Sequence, residues 1–108
     1  MQDLRPTIEA AWENRNLLQE SGTQKAIRAV VSALDSGELR VAEPTADGWQ
    51  VNEWVKKAVV LYFPIQKMET IEVPPFEFHD KIPLKTGYEK LGVRVVPHAI
   101  ARYGAFVD

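Results

Sequence analysis

Between Asn52 and Pro64 the apolar residues Trp54, Val55, Ala58, Val59, Leu61 and Tyr62 fall around well over half the circumference of a helix. A helix so widely apolar has to be enclosed, so the other elements of this chain are read as its cover. Asn52 stands where an N-cap is expected. Pro64 has no N–H for the helical ladder and biases its predecessor away from helix, so the helix is expected to run from Glu53 to Phe63 and stop there.

Upstream, Leu4, Ile8, Ala11, Trp12 and Leu18 are spaced by about one helical turn, which predicts one amphipathic helix over Leu4 to Leu18. Asp3 is placed to cap it, and Pro6 lies in its first turn, where the missing N–H costs nothing. Ser21 and Gln24 have capping-box spacing ahead of a second helix with Ala26, Ile27, Val30, Val31 and Leu34, closed by Gly37 as a left-handed stop. These two helices are expected to form an antiparallel pair. Leu39 and Val41, then Trp49 and Val51, alternate with polar or small residues on either side of Asp47-Gly48, the pattern of a β-hairpin. Trp12, Trp49 and Trp54 all sit on apolar faces and are assigned to the core, although their size would also suit a subunit interface.

Residues 65–91 read mostly as ordered loop, with a short strand at Thr70 to Val73 and a short helix around Gly87 to Leu91. Beyond them a six-residue period emerges. Val93, Ala99 and Ala105 are small or aliphatic, and Arg94, Ile100 and Phe106 follow one place later. A hexapeptide period is the mark of a parallel β-helix, whose coils are stable only when stacked on neighbours. Residues 93–108 hold barely two such units, and on this reading Val96 to Asp108 should be held weakly or by another chain.

With 108 residues, 45% apolar and 26% charged, the chain has room for one modest core. Thirteen basic and fifteen acidic side chains give a net charge of −2, which argues against general affinity for nucleic acid or anionic lipid. The absence of cysteine excludes disulfides, thiolate metal sites and thiol nucleophiles together, and two histidines are too few for a structural zinc site. Asp3 and Glu9 interrupt the N-terminus, so neither a signal peptide nor a membrane span is expected, and a reducing cytoplasm fits best.

Several segments together resemble the tetrahydrodipicolinate N-succinyltransferase family, the acyltransferases of bacterial lysine biosynthesis. They are Leu34-Asp35-Ser36-Gly37 leading to Leu39-Arg40-Val41-Ala42-Glu43, then Trp49-Gln50-Val51-Asn52-Glu53-Trp54-Val55-Lys56-Lys57-Ala58-Val59-Val60-Leu61, then Phe78-His79-Asp80-Lys81-Ile82-Pro83-Leu84-Lys85, and Gly92-Val93-Arg94-Val95-Val96-Pro97. The resemblance implies an α+β architecture: a small, mostly helical α/β domain with a β-hairpin over residues 1–92, then at 93–108 the truncated beginning of a left-handed parallel β-helix of hexapeptide repeats. It further implies a homotrimer that transfers succinyl from succinyl-CoA, a co-substrate bound elsewhere, to the amino group of ring-opened tetrahydrodipicolinate. A chain lacking most of the β-helix is expected to be inactive alone. The alternative is a non-catalytic α/β module that works by association.

One functional position carries over from the resemblance: the substrate-contacting arginine of the Gly-x-Arg-x-Val-Pro segment matches Arg94. A guanidinium can hold a carboxylate through two parallel charge-assisted hydrogen bonds, which suits a dicarboxylate substrate. Other candidates are weaker. Lys56 and Lys57 read as a solvated stripe, with a coenzyme A phosphate contact as the functional alternative. His79-Asp80 could suggest an oriented base, but adjacent residues seldom face each other, and His79 is read as a satisfied loop histidine. His98, after Pro97, reads as a packing or turn residue. Glu9/Glu13 and Glu69/Glu72 have ordinary surface spacing, and no residue is marked as a nucleophile. No glycine-rich phosphate loop or Gly-x-Ser-x-Gly elbow occurs.

Overall fold

The computed structural model describes residues 2–108, and three helices make its core. They are α1 (Arg5–Glu13), α2 (Ser21–Ser36) and α3 (Glu53–Ile65). The helix expected to be enclosed is enclosed: Trp54, Val55, Ala58, Leu61 and Tyr62 of α3 are buried against Ile8 and Ala11 of α1 and Ile27, Val30 and Val31 of α2. Polar ties lie over the rim of this core. Lys57 Nζ meets Glu9 Oε1 at 2.7 Å between α3 and α1, and Arg28 of α2 donates to the Ile65 carbonyl at 3.2 Å and to the Gln66 side chain. A cation at the last carbonyls of a helix also meets the negative end of its dipole.

The expected single helix over Leu4 to Leu18 is in fact broken. Asn14 is extended, its side chain accepts from the Asn16 amide at 3.1 Å, and residues Arg15–Gln19 form a 3-10 turn. Asparagine offers the backbone this local alternative to a helix, and no apolar side chain from Glu13 to Asn16 resists it. The turn still brings Leu18 into the core.

Three expected caps are corrected. The N-cap of α1 is Leu4, with no side-chain cap bond, rather than Asp3. Ser21 is the first residue of α2 instead of its cap, and Gln24 donates its side-chain amide to the Leu18 carbonyl at 2.8 Å. Asn52 does precede α3 but turns its amide to the Arg40 carbonyl at 2.8 Å and towards Glu43 at 3.3 Å, tying the preceding hairpin to the helix. Pro64 lies inside the last turn, so α3 ends at Ile65 instead of Phe63. Gly37 does stop α2 in the left-handed region, with φ of 84°.

The first hairpin pairs β1 (Ala42–Thr45) with β2 (Gly48–Val51). Its first strand starts three residues later than the Leu39–Val41 alternation predicts, because Leu39 and Val41 pack against the core instead. Trp49 is 70% exposed, so it is not a core residue as expected; it shares an apolar outer face with Pro44 and Val51.

Residues 65–91 hold more structure than expected. β3 (Glu69–Val73), which contains the predicted strand, pairs antiparallel with β4 (Phe76–Asp80) across a turn at Pro74-Pro75, whose peptide is cis. The predicted short helix is α4 (Tyr88–Leu91). The described residues make a mixed α+β chain with two separate two-stranded sheets. Residues 93–108 carry no strand among the described residues, only an isolated bridge between Leu84 and Arg102.

Candidate functional site

Arg94 lies in a loop, residues 86–100, whose two ends are brought together by short antiparallel pairing. The Lys85 amide donates to the Ala101 carbonyl at 3.0 Å and the Tyr103 amide to the Pro83 carbonyl at 2.8 Å, on either side of the Leu84–Arg102 bridge. Within the loop, Gly87 and Gly92 bracket α4 with φ of 80° and 71°, and the Val93 amide donates to the Tyr88 carbonyl at 3.0 Å. This last bond brings the chain from α4 directly to Arg94. The arginine is exposed, and among the described residues no hydrogen bond or ion pair engages it. It borders an open depression whose other walls are apolar, among them Tyr88, Val96, Ile100 and Val107. A free guanidinium beside an apolar wall can accept a carboxylate attached to a carbon skeleton.

The closed base of the loop is fixed to the helical core at a single carboxylate. Asp35, in the last turn of α2, accepts from Lys85 Nζ at 2.8 Å and from the Gly104 amide at 3.0 Å, both at Oδ1. The same ammonium donates to the Asp35 carbonyl at 3.1 Å. Lys85 is buried, its side chain 4% exposed, which is uncommon for a lysine and depends on that pairing. A second ion pair, Arg102 with Asp80 at 2.8 Å, joins the base to β4, and the Arg102 guanidinium also lies 5.6 Å from the centre of the Phe63 ring. Tyr103 packs against the core near Tyr62. Burial pushes the Tyr62 phenol above its usual 10.0, Arg28 acts in the opposite sense and Tyr103 adds to the rise.

The tail is therefore bonded to the rest of the chain at 101–104. Its outer residues do remain exposed, Val96, Ile100 and Phe106 among them.

The remaining candidates take structural places. Lys57 is the interhelical partner of Glu9 and lies 5.7 Å from the centre of the Trp12 ring; Lys56 is exposed beside Glu53 at 3.9 Å. His79 is on β4, not in a loop, and its Nδ1 is 2.9 Å from Thr70 Oγ1 across the hairpin. Asp80 points to the opposite face, to Arg102, so the two form no dyad. His98 has a φ of 77° and sets its ring edge-on to Phe76 at 5.6 Å, a turn and packing residue. Among the described residues no three His, Asp or Glu side chains gather as metal ligands, and no helix is long and apolar enough to cross a membrane.

Sequence reasoning left Asp35, Lys85 and Gly104 without a role. One signal was present: an acidic residue in the last turn of a helix opposes the helix dipole, so Asp35 needs a cation from elsewhere.

The chain is similar to known proteins over nearly its whole length. The N-terminal family of tetrahydrodipicolinate N-succinyltransferase matches residues 3–65. The 2,3,4,5-tetrahydropyridine-2,6-dicarboxylate N-succinyltransferase of Bordetella petrii is 47% identical across 97% of this chain, which corresponds to 42% of that protein. The enzymes of that name from Alkalilimnicola ehrlichii and Coxiella burnetii are 47% and 42% identical, each across 99% of this chain and 43% and 42% of their own lengths. The chain thus spans less than half the length of these relatives.

Proposed function

Because the chain belongs to the tetrahydrodipicolinate N-succinyltransferase family, we propose that it forms the N-terminal part of an enzyme transferring succinyl from succinyl-CoA to the amino group of ring-opened tetrahydrodipicolinate, in lysine and diaminopimelate biosynthesis. The observation that carries this reading is identity of 42–47% over nearly the whole chain to proteins named for that reaction. In it, residues 93–108 open a left-handed β-helix of hexapeptide repeats, the protein is a cytoplasmic homotrimer, and 1–92 is a domain attached to that β-helix.

Arg94 is the residue of this chain that meets the acceptor, binding one of its two carboxylates. It is exposed and among the described residues nothing bonds to its guanidinium, which leaves the donors open to a ligand carboxylate. Among the described residues no side chain is placed as a nucleophile, which fits direct attack of the acceptor amine on the thioester. The 108 residues alone do not turn over, since more than half of each relative lies outside the matched region.

The test is an assay of the full-length protein for acceptor-dependent release of coenzyme A thiol, run beside the 108-residue chain. Acceptor-dependent thiol release by the full-length protein alone is expected. No release by either, or turnover by the short chain on the order of 1 per second, overturns the corresponding part of the proposal. The exposed Trp49, Phe76 and Ile100 favour a second reading, a module that works by association.

A further inference from the structure

The loop that carries Arg94 is joined to the rest of the molecule in an unusual way. Among the described residues no hydrogen bond or ion pair links residues 86–100 to any other segment; the polar bonds are all at its base. There, the Lys85 ammonium and the Gly104 amide converge on Asp35 Oδ1 from the two sides of the closure, so one carboxylate oxygen holds both ends of the loop.

Stability alone is a poor explanation for this arrangement. An aspartate in the last turn of a helix is electrostatically unfavourable, and a buried lysine is costly to desolvate. Well-packed apolar residues could hold the same surfaces together at least as firmly. What the ion pair adds is direction: the ammonium is fixed by two acceptors on Asp35, and the third bond, from Gly104, sets the opposite side of the closure against it. The base can then sit on the end of α2 in only one register.

We propose that Asp35 and Lys85 are positioning residues for Arg94: they hold the base of the 86–100 loop in one orientation on α2 and thereby set the line along which the guanidinium meets a substrate carboxylate. This rests on the reading of Arg94 as an acceptor-binding residue. The pair touches no substrate and acts only through the loop.

The test uses the full-length protein and separates the two ideas. Lys85→Met is expected to raise the KM for the dicarboxylate acceptor about three- to tenfold, with the KM for succinyl-CoA unchanged. Amide exchange at Leu91 to Val93 should quicken while that of α2 and α3 stays as it was. If Lys85→Met fails to fold, Asp35→Asn with Lys85→Met removes the charge together with its partner, keeps an acceptor for Gly104 and should show the same split. In an Arg94→Ala background either change should add nothing to the acceptor KM, since the pair acts through that arginine. Equal rises in both KM values would mark the pair as merely structural and overturn the proposal. So would an unchanged acceptor KM where Arg94→Ala raises it, which leaves the Arg94 reading standing. An acceptor KM indifferent to Arg94→Ala would remove that reading and the positioning role with it.

Discussion

The helical core and the 86–104 segment are held by different physics. In the core, Ile8, Ile27, Val30, Val55 and Leu61 are wholly buried, and polar ties such as Lys57 with Glu9 lie at its rim. In the segment the order is reversed: polar bonds to Asp35 and Asp80 do the holding, and apolar residues such as Ile100 remain outside. Between the two lies a half-open apolar depression of about 140 Å³, lined by Val31, Leu34, Val59, Tyr62, Ile82 and Tyr103 among others. Apolar burial is non-directional and tolerates small shifts; a few short charged bonds fix a register but contribute less energy. On the proposed reading of Arg94, the second kind of attachment suits a region that presents one side chain to a ligand.

The sharpest way to break this contrast is to damage the core and see whether the segment fails with it. Leu61→Ala should destabilise the whole chain by about 2–5 kcal/mol, read from urea unfolding. Loss of signal from the segment alone would show that the core is not the common support.

Next in size is Gly37→Ala, at the junction of the two regions. A Cβ there would lie 2.8 Å from the Phe106 ring, and φ is 84°, so about 1–2 kcal/mol should be lost from the left-handed backbone alone. Adding Phe106→Ala should relieve the steric part and leave the backbone part. A neutral Gly37→Ala would mean that the left-handed turn is not required, and a loss that Phe106→Ala leaves unrelieved would mean that Phe106 does not rest on it.

Arg102→Gln should cost only about 0–1 kcal/mol, because its pair with Asp80 is half exposed and screened by water. Amide exchange at Tyr103 should rise slightly, far less than after loss of Lys85. If the two changes loosen the segment equally, Asp35 is not its principal anchor.

The smallest effect concerns pH and the Tyr62 phenol. Its pKa is raised in the folded chain, so its contribution to stability is fully present below the usual 10.0 and is lost as pH rises through the higher folded value. Tyr62→Phe should therefore lose less stability than the unaltered chain between about pH 9 and about pH 11, seen as a smaller shift in urea midpoint. An identical alkaline slope would show that this phenol does not ionise on unfolding.

The same division explains what the sequence could reveal. Trp54 to Tyr62 and Ala26 to Leu34 were legible because burial writes a period into the chain, and Gly37 because a left-handed stop has few alternatives. The break at Asn14, the outward Trp49 and the strand Phe76–Asp80 were not. Each depends on a local competition or a packing partner that no period records. Arg94 was legible only through its motif. Asp35 and Lys85 lay inside recognisable segments without an assigned role, since a contact spanning fifty positions in sequence leaves no local trace.

Arg94→Ala in the full-length protein tests most directly whether the loop displays Arg94 to bind a carboxylate of the acceptor. Loss of a charge-assisted contact should cost about 1.5–3 kcal/mol, a rise of about ten- to a hundredfold in the acceptor KM with the succinyl-CoA KM unchanged. Unchanged acceptor kinetics would make Arg94 an ordinary surface arginine.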